Sequence, residues 1–296
     1  MISQRLVRPP PVIAQLLSAS LLSVLLAAGQ VQAASALIDP LGEPANTLEG
    51  PLASPLIGVA RAGDALVSVG LHGLIQRSSD NGKTWVQIPS PVSSDFVQVR
   101  FSDANNGWIV GHDCVVLHST DGGTTWAVQM DGRQLLGLLN SVYGQRAGQG
   151  DQDAADMVQE VSRAMGSSAT ADVLPAPLLD VLFDAQGHGF AVGAFGMILR
   201  SEDAGKTSQP WIERADNPRR MPLYGLAEHD GTVYISGAQG LPLRLDSQQQ
   251  RFEKIDTPYA GTYLGVSAIT HLLLAHRLPG NLFDRPHDAR TTPPCT

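Results

Sequence analysis

A short phrase returns along this chain at a fixed interval, and it constrains the fold more than any other feature. Ser78-Ser79-Asp80-Asn81-Gly82-Lys83-Thr84-Trp85 is followed by Ser119-Thr120-Asp121-Gly122-Gly123-Thr124-Thr125-Trp126. A third copy, Ser201-Glu202-Asp203-Ala204-Gly205-Lys206-Thr207, carries its tryptophan late, at Trp211. The shared pattern is Ser-x-Asp-x-Gly-x-Thr-Trp, and its aspartates at 80, 121 and 203 stand one and two units of 41 residues apart. A strand-rich repeat of about 40 residues is the mark of a β-propeller, each unit being one four-stranded blade.

The strands can be read between the phrases. The first unit gives Leu56 to Ala60, Ala65 to Gly70, Leu74 to Arg77 and Trp85 to Ile88; the second gives Phe96 to Phe101, Gly107 to Gly111, Val115 to His118 and Trp126 to Gln129. The third gives Leu178 to Phe183, Gly189 to Gly193, Met197 to Arg200 and a fourth strand starting at Trp211. A fourth unit, Leu223 to Ala227, Val233 to Gly237, Leu241 to Leu245 and Phe252 to Ile255, keeps the strands while its turn has decayed to Asp246-Ser247-Gln248. A second turn signal keeps the same phase: Val69-Gly70 to Gly73, Val110-Gly111 to Cys114, Val192-Gly193 to Gly196 and Ser236-Gly237 to Gly240. Glycine there supplies the positive φ of tight turns.

Two stretches depart from the repeat. Residues 131–177 form an insertion in which Leu135 to Leu139 and Asp153 to Met165 read as helices, joined by a polar hinge from Gln145 to Asp153. Met157, Val158, Val161, Ala164 and Met165 share one face of the second helix. Such an insertion is either a hairpin packed on the propeller or a partner-docking element. At the other end, the phase holds to Phe283 as a partial fifth unit, and residues 284–296 show no strand pattern. That reads as an out-of-frame or truncated end and an incompletely closed ring. The expected class is therefore all-β, a propeller spanning 55–283 with four recognisable blades, a partial fifth and a helical insertion.

Residues 1–33 read as a secretory signal, with Arg5 and Arg8 ahead of the apolar run Val12 to Ala28 and a small-x-small site at Val31-Gln32-Ala33. Residues 34–54 then form a linker. The expected address is periplasmic or extracellular, with membrane association but no integral span after signal removal. Losing two arginines leaves 18 basic against 28 acidic residues, a net charge of −10. That balance argues against nucleic acid as a partner. Cys114 and Cys295 make no disulfide framework, and Cys114 stands where the other units have glycine, so a small buried residue is expected. No metal-ligand spacing or phosphate-cradling loop occurs, and no cofactor is expected.

The repeated aspartates could be catalytic acids, calcium ligands or turn staples. The staple reading is preferred, because every unit has the phrase and an active site needs it once. The structural set is then Ser78, Asp80, Gly82, Trp85, Ser119, Asp121, Gly123, Trp126, Ser201, Asp203, Gly205 and Trp211. These turns share a face with the loops between first and second strands. The opposite face gathers the glycine turns and the connections between blades. It is the preferred binding face, with His112, Asp113 and Phe195 from turns and Arg214, Arg219 and Arg220 from a connection.

The phrase is the Asp-box, or BNR repeat, of sialidases and other propellers. Joined to runs such as Phe190-Ala191-Val192-Gly193-Ala194-Phe195-Gly196-Met197-Ile198-Leu199-Arg200-Ser201, it resembles the Ycf48/Hcf136 family of photosystem II assembly factors, in particular their exported bacterial relatives. The resemblance covers residues 55 to 283. It implies a non-enzymatic propeller that helps a membrane or envelope protein complex assemble or stay intact, and it makes Arg219 and Arg220 counterparts of the arginine-rich patch through which photosynthetic members engage partners. A rival reading is a sialidase-like glycoside hydrolase, for which Tyr224 and Glu228 are the close pair of suitable type. A third is a carbohydrate- or envelope-binding module without catalysis.

Overall fold

A computed structural model describes residues 39–47, 54–257, 260–269, 272–276 and 282–286. Contacts divide the chain into Met1–Ile38, which lies outside the described residues along with the leader reading, and Asp39–Thr296, which holds everything below. Among the described residues there are four four-stranded antiparallel sheets and one of three strands. The first blade is β1 (Leu56–Ala62), β2 (Ala65–Gly70), β3 (Ile75–Ser78) and β4 (Val86–Ile88); the second is β5 (Phe96–Phe101), β6 (Gly107–Gly111), β7 (Val116–Ser119) and β8 (Ala127–Met130). The third is β9 (Leu178–Phe183), β10 (Gly189–Gly193), β11 (Ile198–Ser201) and β12 (Gln209–Pro210). The fourth is β13 (Leu223–His229), β14 (Thr232–Gly237), β15 (Leu241–Asp246) and β16 (Arg251–Lys254), and the last sheet is β17 (Gly265–Ile269), β18 (Leu272–His276) and β19 (Leu282–Pro286).

Strands pair in chain order within each sheet, and the first strands of successive sheets lie side by side. This is the arrangement of propeller blades about a common axis. The strand pattern read in the sequence stops at Phe283, yet the third strand of the last sheet continues to Pro286; the residues after it lie outside the described ones.

Two further differences have simple causes. No strand starts at Trp211. Blade 3 ends in the short β12, and a 3-10 turn, Ile212–Arg214, follows the tryptophan. Ser208-Gln209-Pro210 intervenes between box and tryptophan, and Pro210, lacking an N–H, limits ladder growth. The first inserted helix is also longer than its apolar core. α1 runs Gly132–Gly148 and α2 runs Gln152–Met165, which leaves a three-residue hinge. Asp131 starts α1 with a reciprocal capping box to Gln134.

The insertion packs its apolar side into the molecule. Leu135, Leu139 and Tyr143 of α1 and Ala154, Met157 and Val161 of α2 are buried in one cluster with Trp108, Val110, Leu178 and Ile212. Arg146 of α1 reaches Glu213 and Asp151, and the Tyr143 hydroxyl donates to Glu213 Oε2 at 2.7 Å. Burial pushes the Glu213 carboxyl up, but the bonds from Arg146 and Tyr143 outweigh it and leave the group below its ordinary value.

The blade interfaces carry a compensation across 100 residues of chain. Between blades 1 and 2, Trp126 packs beside the small Val67 and meets Phe101 edge-on at 6.0 Å between centroids. The box position of Trp126 falls in blade 3 on Ser208. There the space is taken from the other side by Trp108, at the repeat position of Val67. It stacks on Phe183 at 4.3 Å, and its Nε1–H lies 3.2 Å from both Gln129 Oε1 and the Ala204 carbonyl. Large faces small at both interfaces, with the partners exchanged.

Candidate functional site

The three Asp-boxes share one core of hydrogen bonds. Ser78, Ser119 and Ser201 each donate from Oγ to the box aspartate at 2.7, 2.8 and 2.9 Å and accept the N–H of Gly82, Gly123 or Gly205. Each carboxylate then accepts the backbone N–H and the hydroxyl of Thr84, Thr125 or Thr207. Trp85 and Trp126 close the turn by donating from Nε1 to the carbonyls of Gly82 and Gly123. Gly123 holds a left-handed φ of 78°, and a Cβ on it would stand 2.7 Å from Val67 Cγ2, so both conformation and neighbour require glycine.

These carboxylates are therefore engaged in holding loops. The Thr84 hydroxyl and N–H draw the Asp80 pKa down to about 2. Asp203 is lowered by Thr207, and Asp121 is lowered by Thr125 against an opposing push from burial. In blade 4, Asp246 takes on the same task alone, accepting the N–H groups of Gln248 and Gln249. Among the described residues, no three His, Cys, Asp or Glu side chains are grouped to hold a metal.

On the opposite face each glycine turn holds two consecutive left-handed residues, the first of them His72, Asp113 or Phe195 at φ 56° or Gln239 at 54°, and the second a glycine or, in blade 2, Cys114. Phe195 is 58% exposed, an unusual state for a large aromatic side chain on a strained backbone. Gly196 beside it lies against the backbone of Arg220, so the Phe195 turn abuts the Arg214-to-Arg220 connection. Arg219 is exposed and makes no hydrogen bond or ion pair among the described residues. Arg220 faces inward, donating to the Ile212 carbonyl and pairing with Glu160 of α2 at 3.6 Å. Arg214 points elsewhere, lying over the Trp211 ring at 5.1 Å and reaching the Gln250 carbonyl at 3.5 Å. His112 is exposed at the blade-2 turn, while Asp113 accepts a bond from Ser94 Oγ at 2.8 Å. The structure thus sets the Phe195 turn beside the connection that carries Arg219, places His112 and Asp113 on the neighbouring blade, and uses Arg214 and Arg220 as braces.

Cys114 is fully buried at φ 53°, and its thiol donates to the Ala176 carbonyl at 2.9 Å. Burial pushes the thiol up to about 12. Tyr224 and Glu228 lie on one extended strand, about 13 Å apart at 3.3 Å per residue. Glu228 accepts the Gly231 N–H at 2.6 Å. A different charged pair sits near the axis. Arg100 of β5 donates to both carboxylate oxygens of the buried Asp180 in β9, at 2.8 and 2.6 Å, and to the Leu226 carbonyl of β13 at 3.0 Å. Asp180 also accepts the Leu226 N–H. Burial raises the Asp180 pKa even with Arg100 opposing it. Partners 80 residues apart gave no sequence signal.

A family model described as "Photosynthesis system II assembly factor YCF48" matches residues 59–162. The chain is Ycf48/Hcf136-like. A photosystem II stability/assembly factor HCF136 of Oryza sativa is 28% identical over 150 residues, 46% of this chain and 35% of that protein. Its Cyanidioschyzon merolae counterpart is 45% identical over 47 residues, 15% of this chain and 11% of that protein. The chain thus spans about a third or less of the curated relatives it matches. Among solved structures, YCF48 bound to D1 peptide aligns with a TM-score of 0.51 at 17% identity, covering 83% of this chain and 68% of that one. A nidogen/laminin complex chain gives 0.52 at 13% identity, with 80% of each chain covered. At such identities the likeness to the Ycf48 and nidogen/laminin structures is one of fold. Among the described residues no helix is long and apolar enough to cross a membrane.

Proposed function

We propose that this Ycf48/Hcf136-like chain is a non-enzymatic scaffold that aids assembly or stability of a membrane or envelope protein complex after export. It engages a protein partner on the face of the glycine turns. One observation carries the reading: Phe195, 58% exposed and fixed at a left-handed φ, stands beside the connection that presents Arg219, which is unpaired among the described residues. An aromatic anchor and a guanidinium held by rigid blades form the kind of pair that dominates protein interfaces. A curated relative named for photosystem II stability and assembly, and a structure of YCF48 with a D1 peptide, support a protein segment as the bound chemistry.

The test places a photo-crosslinking residue at position 239, on the neighbouring turn, and captures adducts from the envelope fraction. The expected result is one specific membrane-complex adduct that is lost in Phe195→Ala/Arg219→Glu. Equal adduct yield from that variant, with its melting temperature unchanged, overturns the assignment of this face.

A further inference from the structure

A cleft of about 480 Å³ opens between blades 3 and 4 on the Asp-box face, opposite the face just assigned. Both blades bordering it depart from the repeat. Blade 3 carries its tryptophan three positions late, and in blade 4 Gln249 and Gln250 replace the glycine bend, with Gln250 at φ 53°. Phe252 occupies the box-tryptophan position of blade 4 and meets Phe190 edge-on at 5.1 Å. The regular wedge is thus smaller, and the gap above it stays open.

Three properties define what fits there. Below the rim the walls are apolar, from Leu182, Val233 and Leu245. At the rim stand Asp184, Glu202 and Glu228. Glu202 pairs with Arg200 at 2.6 Å, Arg200 lies over the Trp211 ring at 4.7 Å, and Asp184 Oδ2 lies 3.2 Å from His188 Nδ1, which leaves Glu228 as the carboxylate without a cationic partner among the described residues. Finally, Trp211 lines the cleft while only 3% exposed, and its Nε1–H donates to no group among the described residues. The indole N–H of Trp85, Trp108 and Trp126 each has an acceptor. The Trp211 side chain is otherwise buried, and its N–H, which is not among the buried unpartnered atoms, stays open to an incoming carbonyl. An anion would meet repulsion at the rim, and a sugar ring would find no open aromatic face.

We propose that this cleft binds a basic side chain of an extended peptide: the aliphatic stem lies against Leu182, Val233 and Leu245, the cationic head meets the Glu228 and Asp184 carboxylates, and a peptide carbonyl accepts from Trp211 Nε1. The site is separate from the Phe195 face, so either assignment can fail alone.

The experiment follows the four indole N–H resonances of ¹⁵N-labelled protein while the peptide Gly-Ser-Lys-Ser-Gly is added, with Trp211→Phe assigning the Trp211 signal. The Trp211 resonance shifts downfield and saturates, and the other three stay in place. Val233→Phe, which fills the cleft without changing charge, abolishes the shift. Glu228→Gln weakens binding about tenfold, and Glu253→Gln, a charge change outside the cleft, leaves it as it was. The proposal is overturned by an unmoved Trp211 signal, by an equal response to the peptide with Glu in place of Lys or to spermidine, which has no carbonyl, or by an undiminished response in Val233→Phe.

Discussion

Replacing Trp108 with valine recreates in blade 2 the small side chain that blade 1 has at Val67, and it removes the group that fills the space left by the late tryptophan of blade 3. Trp108 is 2% exposed and stacks on Phe183 at 4.3 Å. Loss of a buried Trp costs about 3–5 kcal/mol when cut to alanine, from transfer and cavity together, and the stacking contributes about 0.5–1.5 kcal/mol of that. Valine keeps two methyl groups, so about 3 kcal/mol is expected from these terms. Ser208 lines a void of about 20 Å³ together with Phe183, Gln129 and Gly189. Ser208→Trp alone therefore overpacks and costs about 1–3 kcal/mol. Combined with Trp108→Val it should copy the Val67–Trp126 interface. The double variant should then be more stable than the sum of the singles by at least about 2 kcal/mol. Urea denaturation of all four proteins measures this coupling. A strictly additive double variant would refute the claim that the two tryptophans occupy equivalent space.

Other consequences can be checked in the same way. In a Cys295→Ser background the Cys114 thiol should resist a disulfide reagent at pH 8 in the native protein and react at once in denaturant, because burial holds its pKa near 12. Cys114→Gly should leave the melting temperature nearly unchanged, since glycine adopts the φ of 53° without strain. The lowered Asp80, Asp121 and Asp203 pKa values contribute stability that is complete above the unfolded carboxylate range near 4 and is lost as pH falls through each folded pKa, which for Asp80 is about 2. Melting curves from pH 7 to pH 2 should show that loss, and the triple Asp→Asn variant should show less of it. Arg100→Met leaves the Asp180 carboxylate buried without its cation and should cost about 3–5 kcal/mol, much of it recovered by adding Asp180→Leu; denaturant titration reads both.

Local signals carried most of the fold. Side-chain staples and bends lie within eight residues of one another, so the box phrase announced three blades; the strands of the first four blades were placed to within a residue or two except the last of blade 3, whereas β17 and β18 were not read. Leu135 to Leu139 revealed only the N-terminal half of α1, because Gly144 and Gly148 sit on its open side and weaken the helical pattern beyond it. What stayed hidden was nonlocal. Nothing near Trp108 announces Ser208, and nothing near Arg100 announces Asp180. The turn-face residues were legible because His112, Asp113 and Phe195 follow a repeated glycine and the three arginines fall in the connection between two blades. Their separation into the outward Phe195 and Arg219 and the bracing Arg214 and Arg220 depends on α2 and the turn at 246–250, which no local pattern encodes.

The Arg100 guanidinium gives the array a second-neighbour coupling. In a chain of repeats each module touches only the next, and such arrays fray inward from an end one module at a time. Here a single side chain spans three consecutive blades, gripping Asp180 in one and the Leu226 carbonyl two modules away. Detaching blade 4 strips a hydrogen bond from a cation rooted in blade 2 and opens the Asp180 carboxylate to water. The middle of the molecule should therefore melt as one block, with native-state hydrogen exchange at Val99, Val181 and Leu226 sharing one opening free energy.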